Sequence, residues 1–199
     1  MTRLYCATGN AGKLREFRMA ALHAPVEIEL LGGYKQLPEC IEDGVTFEEN
    51  AVKKALHYAP HVPGPLFADD SGLEVDALGG APGVYSARYS GPGATDASNN
   101  RLLLEKLKGV SNRAARFVCA IALADGGRVT GVYRGSVDGF IIDEPRGLGG
   151  FGYDPLFFCP AFGCTFGEAT AEQKFSLSHR GRALRAMLAD LFRPGQSTA

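Results

Sequence analysis

Apolar side chains near the start of the chain alternate between strand and helix spacing, and this alternation constrains the fold more than any other feature. Arg3–Ala7 and Val26–Leu31 are strand-sized apolar runs, and Lys13–His23 between them carries apolar residues at helical spacing. Further along, Arg116–Ala124 and Arg128–Ile142 predict a long hairpin around an Asp-Gly-Gly turn. We therefore expect an α/β fold with a mixed sheet flanked by helices, because the hairpin does not fit a purely parallel sheet.

Helix-capping residues and prolines predict where further helices begin and end. Thr46 and Glu49 have the spacing of a capping box, and the helix that they start should reach about Tyr58, because Pro60 and Pro63 then interrupt it. We also predict a strand over Leu66–Asp69 that ends on acidic residues, a helix over Thr95–Lys108 and a short strand over Pro155–Phe158. A last helix should follow Gly181, and the tail 194–199 should be disordered.

Size and charge limit the kind of protein this can be. A chain of 199 residues is near the size at which one core is efficient, so we expect a single domain, 1–199, with two lobes. The net charge of −1 gives no overall reason to bind polymeric nucleic acid or an anionic membrane. No apolar run approaches the roughly 20 residues of a membrane-spanning helix. Any anion site must therefore be built from a local group of cations.

The cysteines are few and scattered. The five residues are Cys6, Cys40, Cys119, Cys159 and Cys164. None forms a Cys-x-x-Cys pair, which argues against a disulfide framework and against a zinc site. We therefore expect reduced, mostly buried thiols and a cytoplasmic protein.

A loop between the first strand and the first helix has the composition of a phosphate site: Thr8-Gly9-Asn10-Ala11-Gly12-Lys13. Its glycines allow a tight turn with inward-pointing N–H groups, and the helix start adds partial positive charge. Lys13 supplies a full charge. The loop is not a Walker A motif, because its glycine spacing is too short and Leu14 replaces the magnesium-binding Ser or Thr. A plain strand–turn–helix junction would explain the same residues.

Two adjacent carboxylates, Asp69 and Asp70, precede Ser71 and Gly72. Neighbours in a strand face opposite sides, so we expect the two acids to have different roles, one facing a divalent metal and a water. Mg²⁺ suits such oxygen ligands, and Glu42 could supply a second one. Acids at a strand end are also common turn formers, which is the structural alternative.

A second glycine-rich loop, Gly149–Pro155, contains Phe151, Gly152, Tyr153 and Asp154. Glycines beside two aromatic rings would let a flat nucleobase lie against the backbone, with Asp154 accepting hydrogen bonds from base or sugar. Aromatic side chains packed into the core are the equally good alternative.

Three donors cluster before the last helix: Lys174, His179 and Arg180. Positive charge at a helix start is unfavourable for the helix dipole. We therefore expect an anionic or electron-rich group to compensate for it. A phosphate loop, a carboxylate pair, a base slot and a basic clamp together are the parts of a metal-dependent nucleotide hydrolase.

The sequence closely resembles the inosine triphosphate pyrophosphatase family, in order and over nearly its whole length. The matching stretches are Ala7–Asn10 with Lys13, Thr46–Ala51 with Lys54-Ala55, Ala68–Leu73, Gly79–Tyr89, Gly150–Pro155 and Ser178–Gly181. The resemblance implies a two-lobed α/β fold on a long mixed sheet, a homodimer, and an active site in the cleft between the lobes.

The resemblance also implies an activity. The reaction would be Mg²⁺-dependent hydrolysis of ITP, dITP or XTP to the monophosphate and pyrophosphate, which removes deaminated purines from the nucleotide pool. Asp70 would be the general base and a metal ligand, and Glu42 a further ligand. The residues implied in substrate binding are Thr8, Gly9, Asn10, Ala11, Gly12, Lys13, Ser71, Phe151, Gly152, Tyr153, Asp154, Lys174, His179 and Arg180. Lys53 or Lys54 would help to offset the substrate charge.

Two rival functions stay open. A pyrophosphatase for modified pyrimidine nucleotides, as in the Maf-type folds, would differ in its base slot. A non-enzymatic nucleotide-binding module would not need the Asp69–Asp70 pair, and it would bind ITP without releasing pyrophosphate.

Overall fold

The computed structural model describes residues 1–193, so the tail 194–199, for which we predict disorder, lies outside the described residues. The strands of the described part form one sheet of seven strands in the order β2-β1-β3-β4-β5-β6-β7. Their bounds are β1 Thr2–Ala7, β2 Val26–Leu30, β3 Leu66–Val75, β4 Ala114–Asp125, β5 Arg128–Ile141, β6 Phe157–Cys159 and β7 Cys164–Thr165. β1 pairs in parallel with β2 and β3, whereas β6 pairs antiparallel with β5 and β7. The predicted mixed sheet is confirmed.

The helices are α1 Ala11–Ala20, α2 Phe47–Tyr58, α3 Asp96–Lys106, α4 Ala171–Leu177 and α5 His179–Leu191. Thr46 caps α2 as predicted, accepting a hydrogen bond from the Glu49 N–H at 3.1 Å. The carboxylate of Glu49 accepts from the Val45 N–H at 2.7 Å, one residue before the cap. The capping box is therefore displaced by one residue, and α5 begins at His179, three residues before the predicted start at Arg182.

The strand that carries the two acids is longer than predicted. β3 does not end at Asp69 but continues to Val75, so Asp69 and Asp70 lie inside a strand rather than at a turn. Gly72 lies within the same strand, at a point where another segment approaches closely. A Cβ atom there would lie 2.6 Å from the Gly83 carbonyl oxygen and 2.3 Å from Ser86 Oγ, so the glycine permits close packing of two segments.

The chain divides into two compact units. Unit 1 comprises Met1–Asp70, Cys119–Gly135 and the described residues from His179 onward; unit 2 comprises Ser71–Val118 and Ser136–Ser178. Each has its own core. The core of unit 1 includes Phe17 and Phe67, whose rings meet edge to face at 5.2 Å. In the core of unit 2, the rings of Phe157 and Phe166 meet at 5.0 Å.

The thiols agree with the sequence-based expectation. All five cysteines are free. Four of them are buried and Cys164 is half-buried. Within residues 1–193, the structure contains no helix with the length and apolar character needed to cross a membrane.

Candidate active site

The predicted phosphate loop of unit 1 is organised around its own side chains. Asn10 caps α1, because its side-chain oxygen accepts from the N–H groups of Gly12 at 2.8 Å and Lys13 at 3.1 Å. The Asn10 N–H in turn donates to Thr8 Oγ1 at 3.2 Å. At Gly9, an added Cβ would come within 3.1 Å of the Tyr34 ring. The loop is therefore closely held, and three of its amides are already used within it.

Asp69 is surrounded by cations. Lys13 Nζ donates to its carboxylate at 2.8 Å, and Arg180 Nε lies 4.0 Å from the same oxygen. Lys54 Nζ donates to its backbone carbonyl at 3.0 Å. Burial alone would raise the pKa of this carboxyl, but Lys13, Arg180 and Lys54 outweigh burial and lower the pKa below its ordinary value. Asp69 is therefore a firmly ionised partner of these cations.

Asp70 has a different environment one residue later. Its carboxylate accepts a hydrogen bond from the Asn50 side-chain amide at 3.0 Å. Burial raises the pKa of Asp70 above its ordinary value, against the opposing effects of Lys54, Lys13 and the Asn50 hydrogen bond. The charge of Glu42 raises it further. The two acids therefore differ in partners and in acidity, as their alternation along a strand predicts.

Helix α2 supplies the link between these acids and the loop that carries Glu42. Lys54 forms an ion pair with Glu42 at 2.9 Å, and Asn50 accepts from the Gly44 N–H at 2.8 Å. Lys53, in contrast, is half-exposed and pairs with Asp43. Of the two lysines that the sequence leaves open, the structure places Lys54 among the acids.

Arg180 finds its compensating charge inside the protein. Its guanidinium donates to Glu16 of α1 at 2.8 Å, with both side chains buried. Burial would lower the pKa of Arg180, but Glu16 and Asp69 raise it above its ordinary value. His179 is buried beside it at the first position of α5. The anionic group that the sequence predicts at this helix start is thus Glu16, together with Asp69.

Unit 2 holds a second buried ion pair, between Lys174 of α4 and Asp154. The Lys174 ammonium also lies 5.1 Å from the centroid of the Phe151 ring and 5.6 Å from that of Phe166, both cation–π contacts. Asp154 accepts a further hydrogen bond from the Phe151 N–H at 2.8 Å. These contacts fix the position of the Phe151 ring, and they satisfy the carboxylate that we expected to face a base or sugar.

Tyr153 and Gly152 are held by the rest of unit 2. Tyr153 is 4% exposed and its hydroxyl donates to the Ser86 carbonyl at 2.9 Å. The Gly152 N–H donates to Asp96 at 2.7 Å, and Asn100 donates to the Gly152 carbonyl at 3.0 Å. Of the two aromatic rings in this loop, Tyr153 therefore packs in the core, as the structural alternative predicts.

The predicted residues thus fall into two groups. Those of unit 1 are Thr8, Gly9, Asn10, Ala11, Gly12, Lys13, Glu42, Asp70, His179 and Arg180; those of unit 2 are Ser71, Phe151, Gly152, Tyr153, Asp154 and Lys174. The three donors of the predicted basic clamp do not share a unit, because the boundary falls between Ser178 and His179.

Sequence reasoning missed Asn50 and Glu16. A signal for Asn50 was available, because it follows the cap at Thr46 at a spacing that places it on the buried face of α2, with Ala51 and Lys54. A polar side chain on an otherwise apolar helix face needs a partner. Glu16 carried no comparable signal, since its partner Arg180 is 164 residues away in the sequence.

Comparison with known proteins agrees with the fold described above. A profile of the Ham1 family matches residues 4–190. A dITP/XTP pyrophosphatase of Geobacter sulfurreducens is 52% identical over 192 residues, which cover 96% of this chain and 96% of that protein. A dITP/XTP pyrophosphatase of Desulfotalea psychrophila is 51% identical over 184 residues, 92% of this chain and 82% of that one.

Solved structures give the same result. A HAM1 protein from Coxiella burnetii matches with a TM-score of 0.85 at 38% identity, covering 96% of this chain and 98% of that one. A nucleoside-triphosphatase, or dITP/XTP pyrophosphatase, from Mycobacterium abscessus matches with a TM-score of 0.73 at 42% identity, covering 94% and 99%. The predicted α/β fold is therefore confirmed, and the chain belongs to the Ham1 family.

Proposed function

We propose that this protein hydrolyses dITP, ITP and XTP to the corresponding monophosphate and pyrophosphate, and so removes deaminated purines from the nucleotide pool. The observation that carries the proposal is Asp70, a buried carboxylate with a raised pKa, beside the cations Lys54 and Lys13. It occurs in a chain that is 51–52% identical to relatives named dITP/XTP pyrophosphatase.

In the proposed mechanism Asp70 is the general base. Its carboxylate accepts a proton from a water molecule, whose oxygen attacks the α-phosphorus while the bond from that phosphorus to the bridging oxygen breaks. The pyrophosphate group leaves with the electron pair of that bond. A raised pKa suits this role, because a base is most effective when its pKa lies near the working pH. Lys13, held by Asp69, and Lys54 place positive charge where the triphosphate would lie.

The donor set also suits Mg²⁺. Among residues 1–193 no group of three or more His, Cys, Asp or Glu residues could hold a metal by itself. Mg²⁺ is commonly bound by one or two carboxylates together with substrate phosphates and water. Asp70 and Glu42 are two such carboxylates. The charge of Glu42 raises the pKa of Asp70, so a cation beside Asp70 would favour its ionised form. When bound there, Mg²⁺ would offset phosphate charge and stabilise the departing pyrophosphate.

For the substrate, we propose that the loop Thr8–Lys13 binds phosphate and that Ser71 contacts the nucleotide. Phe151 would stack on the base, held in place by Asp154 and Lys174, while Gly152 and Tyr153 maintain the shape of that loop. His179 and Arg180 would favour the 6-oxo group of hypoxanthine or xanthine over the 6-amino group of adenine. Facing adenine, buried donors would be left unpaired, at about 1–3 kcal/mol each.

We further propose that residues 1–199 form one enzyme domain that works as a homodimer in the cytoplasm, without polymeric nucleic acid or membrane. Free, mostly buried thiols support the cytoplasmic assignment. The homodimer is what the family resemblance implies, and size-exclusion chromatography with light scattering would test it.

The experiment that tests the function is pyrophosphate release from purified protein. The panel would contain dITP, XTP, dATP, dGTP, dUTP and a methylated pyrimidine triphosphate, each with and without Mg²⁺. We expect release from dITP and XTP only with Mg²⁺, at rates at least about tenfold above the others. Preference for a pyrimidine would favour the Maf-type rival, and nucleotide binding without pyrophosphate release would favour a binding module.

A further inference from the structure

One face of helix α2 carries two polar residues, Asn50 and Lys54, one turn apart. Each bridges the same two segments. Lys54 joins Glu42 to the backbone of Asp69, and Asn50 joins the Gly44 N–H to the carboxylate of Asp70. A helix is the stiffest local element available to hold two such segments in register, so α2 is suited to fix their separation.

The surroundings of Asn50 leave little room for another arrangement. The side chain is 1% exposed. Its oxygen and nitrogen have opposite partners, because the oxygen accepts from Gly44 at 2.8 Å and the nitrogen donates to Asp70 at 3.0 Å. A Cβ atom on Gly44 would come within 2.7 Å of the Asn50 oxygen and 2.8 Å of Glu49 Cβ. The amide is therefore locked in orientation by its contacts.

We propose that Asn50 is a positioning residue for the proposed reaction: it holds the Asp70 carboxylate in a fixed orientation relative to the loop that carries Glu42. The inference rests on the proposed function. In this proposal Asn50 acts through its hydrogen bond to Asp70. The amide bonds one Asp70 oxygen at 3.0 Å, and this bond restricts rotation of the carboxylate. Partners of this kind typically change metal affinity or activity by about 10- to 100-fold when removed.

Two variants separate this role from a purely structural one. Asn50→Asp keeps an oxygen for the Gly44 N–H but loses the donor to Asp70, whereas Asn50→Ala loses both. Because Asn50→Asp also sets a second carboxylate against Asp70, the uncharged Asn50→Ala decides: if Asn50 only held the Gly44 loop, this variant would lower the Tm and leave kcat within about twofold of wild type. If Asn50 is a positioning residue, both variants should lose about 10- to 100-fold in kcat, and KM for dITP should stay within about threefold of wild type.

The matched control is Asn99→Asp in unit 2. Asn99 is also buried, and its amide also accepts from one backbone N–H, of Ser90, while donating to backbone carbonyls of Ser86 and Ala87. This variant should lower the Tm while kcat stays within about twofold of wild type. If it lost kcat as much as the Asn50 variants, the loss would reflect general destabilisation and the proposal would fail.

A direct binding measurement completes the test. Mg²⁺ is titrated calorimetrically into each protein saturated with a non-hydrolysable dITP analogue, and we expect Asn50→Ala to bind Mg²⁺ about tenfold more weakly or worse. A wild-type kcat and a wild-type Mg²⁺ affinity in Asn50→Ala would overturn the proposal. If wild-type protein released no pyrophosphate from any nucleotide, the proposed function would fail instead, and the Mg²⁺ titration would still report on Asn50.

Discussion

The two faces of strand β3 present the same chemical group in opposite surroundings. Asp69 meets Lys13 at 2.8 Å and Arg180 at 4.0 Å, and its pKa is lowered. Asp70 meets the neutral amide of Asn50, and burial raises its pKa. A buried carboxylate that is fully neutralised serves to hold its partners in place. One that is incompletely neutralised keeps its tendency to take up a proton or a cation, which is what a general base and metal ligand require.

The same contrast extends to unit 2. Asp154 resembles Asp69, since a buried lysine and a backbone N–H occupy it. Its sequence context, among glycines and aromatic residues, suggested a group that faces the base. In the structure the carboxylate bonds Lys174 and the Phe151 N–H and so organises the loop around Phe151, while its contact with a base or sugar stays a prediction. Burial and charge balance, rather than residue type, therefore distinguish Asp70 from Asp69 and Asp154.

The largest expected effect is on catalysis. Asp70→Asn preserves shape and removes the base, so kcat for dITP should fall by about 10²- to 10⁴-fold. The free energy of unfolding should stay equal or rise, because the substitution removes a buried charge whose pKa is raised. Pyrophosphate release and thermal unfolding measure the two quantities. A variant with turnover close to wild type would remove Asp70 from the catalytic role.

For Asp69, the neighbouring acid, we expect the main effect on stability rather than on turnover. Asp69→Asn leaves Lys13 and Arg180 without their shared acid, so we expect a loss of about 3 kcal/mol in the free energy of unfolding. The native pKa of Asp69 lies below its ordinary value of 3.8. The ionised Asp69 therefore contributes its full stabilisation above its ordinary pKa of 3.8, and this contribution is lost as the pH falls through the lower native pKa.

The pH dependence supplies the control for Asp69→Asn. Denaturant unfolding of wild type and variant should give a constant difference at neutral pH and a shrinking difference below about pH 4. A difference that persists unchanged in acid would show that the loss comes from packing rather than from the ion pairs.

The adjacent lysines Lys53 and Lys54 test whether the position of a charge near the two acids matters. Lys54 is buried between Glu42 and Asp69, whereas Lys53 is half-exposed beside Asp43. Lys54→Met should lower kcat/KM by about 30-fold, equivalent to about 2 kcal/mol for a hydrogen-bonded buried charge. Lys53→Met should change stability by less than about 0.5 kcal/mol and leave turnover unchanged. Equal effects on kcat/KM would mean that net charge, and not position, matters here.

Much of the fold could be predicted because it depends on local patterns. Apolar periodicity located β1, β2 and the β4–β5 hairpin to within two residues, and Thr46 gave the start of α2. β3 was cut short because Asp69, Asp70 and Ser71 have low strand propensity. They occur inside a strand because long-range cations and Asn50 compensate for the acids, and no local pattern records such contacts.

The sequence points to candidate residues for the site but not to the contacts that they make. Residue types drew attention to Lys13, Asp70 and Lys174, yet they could not show that Lys13 pairs with Asp69 or that Lys174 pairs with Asp154. The helix dipole correctly indicated that a negative partner compensates for Arg180. The partner proved to be Glu16, far away in the sequence, and not a ligand.

The smallest effect concerns the loop that Asp154 organises. Gly150 and Gly152 both have positive φ, +77° and +63°, so alanine should cost about 1 kcal/mol at either position. At Gly152 a Cβ atom would meet nothing within 4 Å, but at Gly150 it would lie 2.0 Å from the Asp154 carboxylate. Gly150→Ala must therefore also displace Asp154 from Phe151 and Lys174, which adds about 1 kcal/mol or more. Denaturant unfolding of Gly150→Ala and Gly152→Ala measures the two losses in the free energy of unfolding. Equal losses would show that Asp154 can move at no cost, which would contradict the view that its ion pair with Lys174 holds it in place.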